Sequence, residues 1–327
     1  MTKIDIFSGF LGAGKTTLIK KLITEAYAGE KLVLIENEFG EIGIDGGFLS
    51  EAGIQINEMN SGCICCSLVG DFGKALSQVL TEYAPDRILI EPSGVGKLSD
   101  VIRAVQGAAT EGAVLNGFTT VVDAGKCKMY MKNFGEFFND QVENAGCIVL
   151  SHTDTTPAHK TETAVTLLRE HNPTAVIVTT PWNDLTGAQL LEAMERTDTL
   201  EAELARLAEE AEHHHHHHHD EECDCGCNHE HHHHHHADEV FTSWGRETVK
   251  KYELARIEEI LSALDDTSYG LVLRAKGIVE NVNGGWIYFD YVPGEPDVRE
   301  GAASTIGKLC VIGSSLDEKK LSELFGL

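Results

Sequence analysis

Basic residues are few in this sequence: 26 lysines and arginines stand against 52 aspartates and glutamates, which gives a formal net charge of -26. Proteins that bind a phosphate backbone depend on clustered lysine and arginine, so nucleic acid is a disfavoured partner. A solvated acidic surface explains the charge. Such a surface also attracts cations in general, but it selects no particular metal.

Long apolar runs are also missing, since none approaches the ~20 residues that span a bilayer. The first segment, Met1 to Phe7, is short and is interrupted by Asp5, so we expect neither a secretory signal nor a membrane partner. The expected location is the cytoplasm. A 42% hydrophobic fraction provides for a sizeable core, and 327 residues favour roughly two domains.

A disulfide framework is not expected either. The nine cysteines are an odd number, and three of them lie in the tetrapeptide from Cys63 to Cys66. This usage favours reduced thiols that act as ligands or nucleophiles.

The fold class follows from hydrophobic patterning. From residue 3 to about 196, short β-branched runs alternate with amphipathic helical stretches, which is typical of an α/β protein with a mostly parallel sheet and flanking helices. The first helix has one apolar face, formed by Leu18, Ile19, Leu22, Ile23 and Ala26. The predicted strands are Lys3 to Phe7, Leu32 to Glu36, Arg87 to Glu91, Phe118 to Val122, Cys147 to Leu150 and Ala175 to Val178.

The domain organisation is predicted from a change in composition. Residues 199–239 are acidic and alanine-rich, then histidine-rich, so we place a linker there between domains at 1–198 and 240–327. The last domain should be a small α+β unit with an amphipathic helix on Leu254, Ile257, Leu261 and Leu264, followed by three strands in YGLVLRAKGIVE, GWIYFDYV and KLCVIG.

A phosphate-binding loop is predicted at GFLGAGKT, which satisfies G-x-x-x-x-G-K-[ST] between a strand and a helix. Its glycines let backbone amides surround phosphate oxygens, Lys15 supplies a charge toward the β and γ phosphates, and the Thr16 hydroxyl can ligate Mg²⁺. The predicted nucleotide-binding residues of this loop are Gly9, Gly12, Ala13, Gly14, Lys15, Thr16 and Thr17.

A second nucleotide element is predicted at RILIEPSG. The strand ends at Glu91, which can hold Mg²⁺ directly or through water, and Gly94 lies where a turn that senses the γ-phosphate is expected. A strand-end glutamate also serves as a helix N-cap partner, but the upstream phosphate loop favours the catalytic interpretation. We assign Lys15, Thr16 and Glu91 to the hydrolytic site.

Recognition of the base is predicted at CIVLSHTD. A GTPase carries Asn-Lys-x-Asp after a late strand, and of that motif this sequence retains Asp154. His152 can lie flat against the purine as the lysine stem does, or it is a surface histidine at the end of a strand. These two residues favour guanine.

A thiol site is predicted at NSGCICCSL. In an extended segment Cys63 and Cys65 point to one side, and Cys66 joins them if the chain turns. Thiolates at this spacing suit Zn²⁺ or another soft or borderline divalent ion. A buried small-hydrophobe patch and a redox pair are the alternatives, although a disulfide between Cys65 and Cys66 would be strained.

A metal-binding tract is predicted at HHHHHHHDEECDCGCNHEHHHHHH, residues 213–236. Two histidine runs around three cysteines inside the chain are unlike a terminal purification tag. The tract has no aliphatic side chain to bury, which predicts mobility that is compatible with metal binding. The accessory ligands are His213, His214, His215, His216, His217, His218, His219, Cys223, Cys225, Cys227, His229, His231, His232, His233, His234, His235 and His236.

The segments GFLGAGKTTL, ENEFGEIGID, GCICC and EPSG, in this order, resemble the CobW-like family of P-loop GTPases, relatives of the nickel-insertion GTPases for hydrogenase and urease. LRAKGIV through CVIG is similar to the C-terminal domain of that family. The resemblance implies a metallochaperone or metal-homeostasis factor that hydrolyses GTP, with Cys63, Cys65 and Cys66 as its transfer site. It also implies metal-binding roles for Glu36 and Glu41 and a histidine-rich linker.

The function expected from these features is GTP-dependent delivery of a divalent transition metal, zinc before cobalt or nickel, to an apo-metalloprotein client. GTP with Mg²⁺ would order residues 36–45 and 91–94 and so change the affinity for the metal. The alternatives are a metal buffer or sensor with incidental hydrolysis, and a P-loop ATPase. A homo-oligomer is left open.

Overall fold

The computed structural model describes residues 1–36, 55–58, 69–108, 112–195 and 242–327. By its internal contacts the chain divides into two compact units, Met1–Thr197 and Asp198–Leu327. The linker predicted at residues 199–239 lies outside the described residues, so the three-part division of the chain stays a prediction.

The first unit is an α/β domain built around one sheet. Its described strands are β1 (Thr2–Gly9), β2 (Leu32–Glu36), β3 (Gln55–Glu58), β4 (Arg87–Glu91), β5 (Ala113–Asp123), β6 (Cys147–Ser151) and β7 (Val176–Val178). Its described helices are α1 (Lys15–Glu25), α2 (Val69–Tyr83), α3 (Leu98–Ala108), α4 (Cys127–Glu143), α5 (Ala158–His171) and α6 (Gly187–Glu195), with a 3₁₀ turn at Trp182–Asp184.

The seven strands have the order β3-β2-β4-β1-β5-β6-β7, and every pairing among them is parallel. Parallel sheets are covered by helices on both faces, and the central strand β1 is accordingly buried along almost its whole length. Leu18, Ile19, Leu22 and Ile23 of α1 are buried as the spacing predicts. The predicted mostly parallel sheet with flanking helices is confirmed.

Two details of the sheet differ from the sequence-based expectation. Strand β5 begins at Ala113 rather than Phe118, because its first half alternates between buried and exposed positions and shows no continuous apolar run. Strand β3, with the sequence QINE, was not predicted, since its single apolar residue gives no strand signal.

The described strands and helices of the second unit are β8 (Thr242–Thr248), β9 (Lys251–Tyr252), α7 (Leu254–Ala263), β10 (Leu271–Asn281), β11 (Trp286–Val292), β12 (Glu295–Gly301), β13 (Gly307–Ser314) and α8 (Glu318–Phe325). The strands form an antiparallel sheet of order β12-β11-β10-β13-β8, in which the short β9 pairs in parallel with β10. The predicted α+β character and the three predicted strands, now β10, β11 and β13, are confirmed.

The core of the second unit lies between this sheet and its two helices. Ile257, Ile260 and Leu261 of α7 and Leu321 of α8 are fully buried in one apolar cluster with sheet residues. Phe325 stacks on Trp244 with ring centroids 5.5 Å apart. Strand β12 was missed because EPDVREG is charged, contains proline and forms the edge of the sheet, where such residues are tolerated.

Candidate functional site

The phosphate loop connects β1 to α1. It runs from Gly9, the last residue of β1, to Lys15, the first residue of α1. Gly14 is the N-cap of α1 and has a φ of 100°, a conformation that side chains with a Cβ rarely adopt. Free backbone N–H groups at a helix N-terminus bind anions, so this loop has the form that a phosphate site requires.

Lys15 and Thr16 are positioned by the first turn of α1. The Lys15 side chain is buried, its Nζ donates to the Gly9 carbonyl at 3.0 Å, and it lies 4.0 Å from Oε1 of Glu91. The Thr16 hydroxyl lies 3.2 and 3.3 Å from the two carboxylate oxygens of Glu91. The fold therefore brings together the three residues assigned to the hydrolytic site, although Glu91 is 75 positions from Thr16.

The donor set at this point fits Mg²⁺. A hydroxyl and a carboxylate are hard oxygen ligands, and Mg²⁺ in nucleotide sites takes one or two such groups together with phosphate oxygens and water. The short Thr16–Glu91 contact shows that both groups reach one position beside the helix N-terminus.

The turn after β4 lies directly against the phosphate loop. A Cβ at Gly94 would stand 2.9 Å from the backbone nitrogen of Leu11 and 2.9 Å from its Cδ2. Gln141 of α4, which is fully buried, holds this turn by donating to the carbonyls of Gly94 at 3.2 Å and Gly96 at 2.7 Å. Sequence reasoning missed Gln141, because nothing in the α4 pattern indicates that one of its polar residues points inward.

A cavity of about 220 Å³ lies beside the loop on the β6 side. The base-recognition segment forms one part of its wall, including His152 and Asp154, and Gly14 and Thr17 bring it next to the phosphate site. Its lining residues are Gly14, Thr17, Ser151, His152, Thr153, Asp154, Pro181, Trp182 and Asn183.

Part of this cavity was not anticipated. The segment Pro181–Asn183 follows β7 and carries no motif, so only its place after the last strand of the sheet could have suggested it. His152 has a φ of 57°, in the left-handed region, and its carbonyl accepts from the Thr156 amide at 2.9 Å, which fixes the turn of the segment.

The carboxyl ends of three neighbouring strands carry glutamates. Glu36 at the end of β2 is buried and is in register with Glu91 of β4 on one side and with Glu58 of β3 on the other. Glu58 had no role in the sequence analysis because β3 was not predicted. Glu36 thus lies at the end of the strand next to the one that carries Glu91.

The remaining predicted metal ligands lie outside the described residues: Glu41, Cys63, Cys65 and Cys66, together with the accessory tract at residues 213–236. Within the described ranges, His, Cys, Asp and Glu form no group of three or more that suits a metal ion. Cys127, Cys147 and Cys310 are the buried cysteines within these ranges, and burial raises the pKa of Cys127 and of Cys147 to about 12. These two thiols are protonated at neutral pH and are unsuited to metal binding.

In the parts of the chain that the structure describes, no helix combines the length and the apolar character needed to cross a membrane.

A parallel sheet, a phosphate loop and an acidic residue at the end of the neighbouring strand define a P-loop nucleotide-binding domain. The chain belongs to the CobW/HypB/UreG family, because residues 3–179, more than half of its length, match the nucleotide-binding domain of that family. The resemblance stated from the sequence motifs is confirmed.

Relatives with assigned functions match just under half of this chain. The chain is 35% identical over 159 residues to the zinc chaperone YeiR of Escherichia coli (strain K12), a match that covers 48% of each protein. It is 34% identical over 178 residues to the zinc chaperone CobW of Sinorhizobium sp, covering 46% of this chain and 50% of that protein. The chain thus spans about half the length of the curated relatives it matches. Among solved structures, Zn(II)-bound YjiA GTPase from E. coli aligns with 99% of this chain and 98% of its own at a TM-score of 0.43 and 19% identity.

Proposed function

We propose that this protein hydrolyses GTP and uses the nucleotide state to bind and release a divalent transition metal, zinc first, for delivery to an apo-metalloprotein. The observation that carries the nucleotide part is the meeting of Lys15, Thr16 and Glu91 at the N-terminus of α1. Membership of the CobW/HypB/UreG family and the zinc chaperones among its relatives support the metal part.

In the proposed reaction the chain positions phosphates and neutralises their charge. The amides from Gly12 to Thr16 surround the β and γ phosphates, and the Lys15 ammonium approaches their oxygens in place of its Gly9 carbonyl partner. Thr16 and Glu91 would hold Mg²⁺, which supplies positive charge to the phosphate oxygens when bound. With no finger arginine assigned, hydrolysis should be slow, roughly 10⁻⁴ to 10⁻² per second.

The metal part of the proposal rests on the chemistry of the thiol motif. Cys63, Cys65 and Cys66 offer thiolates that suit Zn²⁺, Co²⁺ or Ni²⁺, and Glu36 and Glu41 offer carboxylates. Glu36 ends the strand beside Glu91, so a change at the γ-phosphate can reach the metal ligands through one strand pair. The client protein, a cytoplasmic location and self-association belong to this proposal.

The nucleotide part is tested with Lys15→Ala, which removes the buried charge that faces the phosphates. We expect GTP binding and hydrolysis to be lost. Lys21→Ala is the matched control, since Lys21 lies on the same helix and forms an i,i+4 ion pair with Glu25 at 2.8 Å. Unchanged hydrolysis in Lys15→Ala would overturn the proposal, and equal affinity for ATP and GTP in competition would favour the P-loop ATPase.

A further inference from the structure

The Trp182 side chain contacts the end of β6 and the phosphate loop, and it lines the cavity beside them. Its indole Nε1 donates to the carbonyl of Leu150, near the end of β6, at 2.9 Å. The far edge of the ring lies over the phosphate loop, where a Cβ on Gly14 would stand 3.2 Å from Cη2. The same side chain lines the cavity of about 220 Å³ next to the loop.

The local backbone holds the ring in this position. Trp182 begins a 3₁₀ turn in which the Asp184 amide donates to the Pro181 carbonyl at 3.0 Å and the Leu185 amide donates to the Trp182 carbonyl at 3.3 Å. Leu185 is buried and anchors the end of the turn. A large aromatic surface is thus presented in one orientation, which reduces the entropy lost when a ligand packs against it.

At position 151, the end of β6, the chain has serine where the GTPase motif Asn-Lys-x-Asp has asparagine. Ser151 is shorter and buried, and its hydroxyl donates to the Val122 carbonyl of β5 at 3.4 Å. Trp182 makes the connection between β6, the phosphate loop and the segment after β7.

We propose that the indole of Trp182 is the surface on which the purine packs, and that it supplies most of the affinity for the base. This inference rests on the proposed binding of a nucleoside triphosphate. Thr153, whose buried Oγ1 has no hydrogen-bond partner among the described residues, and Asp154 line the same cavity and provide polar groups for the edge of the base. Stacking serves any purine, so Trp182 sets affinity and the polar groups set the choice between guanine and adenine.

The experiment measures the dissociation constants of GDP, ADP and inorganic tripolyphosphate for the wild-type chain, Trp182→Ala and Trp182→Phe. Trp182→Ala should weaken GDP and ADP about tenfold, within the range that one base–aromatic stack supplies. It should leave tripolyphosphate within about twofold, because that ligand has no base. Trp182→Phe should keep most of the GDP affinity, since it keeps an aromatic face.

Tryptophan fluorescence gives an independent readout. The chain has three tryptophans, and Trp244 and Trp286 belong to the second unit. GDP should quench emission of the wild-type chain and of the control Trp286→Phe, and it should not quench Trp182→Phe. This test stands even if Trp182→Ala does not fold.

The outcomes separate the two proposals. Equal weakening of GDP and tripolyphosphate by Trp182→Ala would show a role in holding the loop alone and would overturn the stacking role. Unchanged GDP affinity, or the same quenching in Trp182→Phe as in the wild-type chain, would also overturn it. If the wild-type chain binds no nucleotide, the proposed function itself is wrong, and the inference about Trp182 falls with it.

Discussion

Gly94 is a residue at which one methyl group should affect the whole site. A Cβ there would meet the backbone nitrogen of Leu11 at 2.9 Å, and backbone of the phosphate loop cannot move away without disturbing the loop. We expect Gly94→Ala to lower GTP hydrolysis at least tenfold and to weaken nucleotide binding, measured by steady-state phosphate release and by titration.

The matched control is Gly107→Ala in α3, where a Cβ would meet nothing within 4 Å. Alanine is the better helix former by about 1 kcal/mol, so this variant should be as active as the wild-type chain and slightly more stable. Wild-type hydrolysis rates in Gly94→Ala would show that the turn after β4 does not need its close approach to the loop.

At single residues, the sequence predicts chemistry where a local motif encodes it. Lys15 and Thr16 follow from the loop pattern, and the strand pattern before Glu91 places that carboxylate at the same edge of the sheet. Trp182 and Gln141 were missed because their partners lie far away in sequence: Leu150 is 32 positions from Trp182, and Gly96 is 45 positions from Gln141. Contacts of that separation depend on the finished fold.

At the scale of helices and strands, a cluster of charged residues surrounds Arg87, the first residue of β4. The cluster lies at the amino end of this strand, and the phosphate loop lies at the carboxyl end of the sheet. The buried Arg87 guanidinium contacts the Asp5 carboxylate in β1, Glu30 at 2.7 Å and Glu195 of α6 at 3.3 Å. It also lies 4.5 Å from the centre of the Tyr27 ring. The cluster connects the strands that end in Gly9 and in Glu91 with the last residue of α6.

Removing the central charge of this cluster should destabilise the fold. Arg87→Met leaves Asp5 buried beside an apolar side chain, and breaking a buried ion pair typically costs about 3 to 5 kcal/mol. Arg103→Met, which removes an exposed arginine paired with Asp100 within α3, should cost less than about 1 kcal/mol. Chemical denaturation of both variants measures the difference, and equal stability would show that the Arg87 cluster contributes nothing beyond a surface pair.

The same cluster predicts that the folding stability of the chain depends on pH. Partial burial opposes ionisation of Glu195, but hydrogen bonds from Lys3 and Asn116 lower its pKa below the ordinary 4.5. A carboxyl group with a lowered folded-state pKa stabilises the protein above its ordinary pKa and loses that contribution as the pH falls through the folded value. Burial raises the pKa of Asp5, so this group contributes with the opposite sign.

Glu195→Gln removes the first effect, and it also removes a negative charge that helps to raise the pKa of Asp5. The variant should be less stable than the wild-type chain at pH 7, and the difference in melting temperature should shrink as the pH falls from about 4.5 toward 3. Glu136→Gln, at an exposed ion pair with Lys97, is the control and should show a small difference throughout. If the difference in melting temperature between Glu195→Gln and the wild-type chain stays constant down to pH 3, the assigned effect of Glu195 is wrong.

Strands can be predicted from the sequence when their residues follow a continuous or alternating pattern of burial. Strands β2, β4 and β6 are buried on both faces and read as nearly continuous apolar runs, and β1 is buried in the same way although Asp5 interrupts its apolar pattern. Strands β3 and β12 are short or charged, and only pairing with a neighbouring strand makes them strands. The Arg87 cluster was also beyond prediction, since its partners come from β1, α6 and a loop.

At the scale of the whole molecule, the net charge of -26 and the histidine tract predict that the chain binds several metal cations. Deleting residues 213–236 should lower the number of Zn²⁺ ions bound at pH 7.5, keep one tight site and leave GTP hydrolysis within about twofold, since the deletion touches neither the phosphate loop nor Glu91. Imidazoles bind metal only when neutral, so the ions lost on deletion should be those that the full chain releases between about pH 7.5 and 5.5. Loss of hydrolysis in a folded deletion variant would place the tract in the catalytic cycle instead.

The central claim is that nucleotide state changes metal affinity at the thiol motif. The direct measurement is Zn²⁺ titration of metal-free protein lacking residues 213–236, with GDP and with a non-hydrolysable GTP analogue, beside Cys65→Ser and Lys15→Ala in the same background. We predict that the affinity of the tight site differs 5- to 150-fold between the two nucleotides, the range of typical coupling energies of about 1 to 3 kcal/mol. Cys65→Ser should lose the site, and Lys15→Ala should lose the difference. A tight site with the same affinity in both nucleotide states, or one that survives Cys65→Ser, would contradict the account.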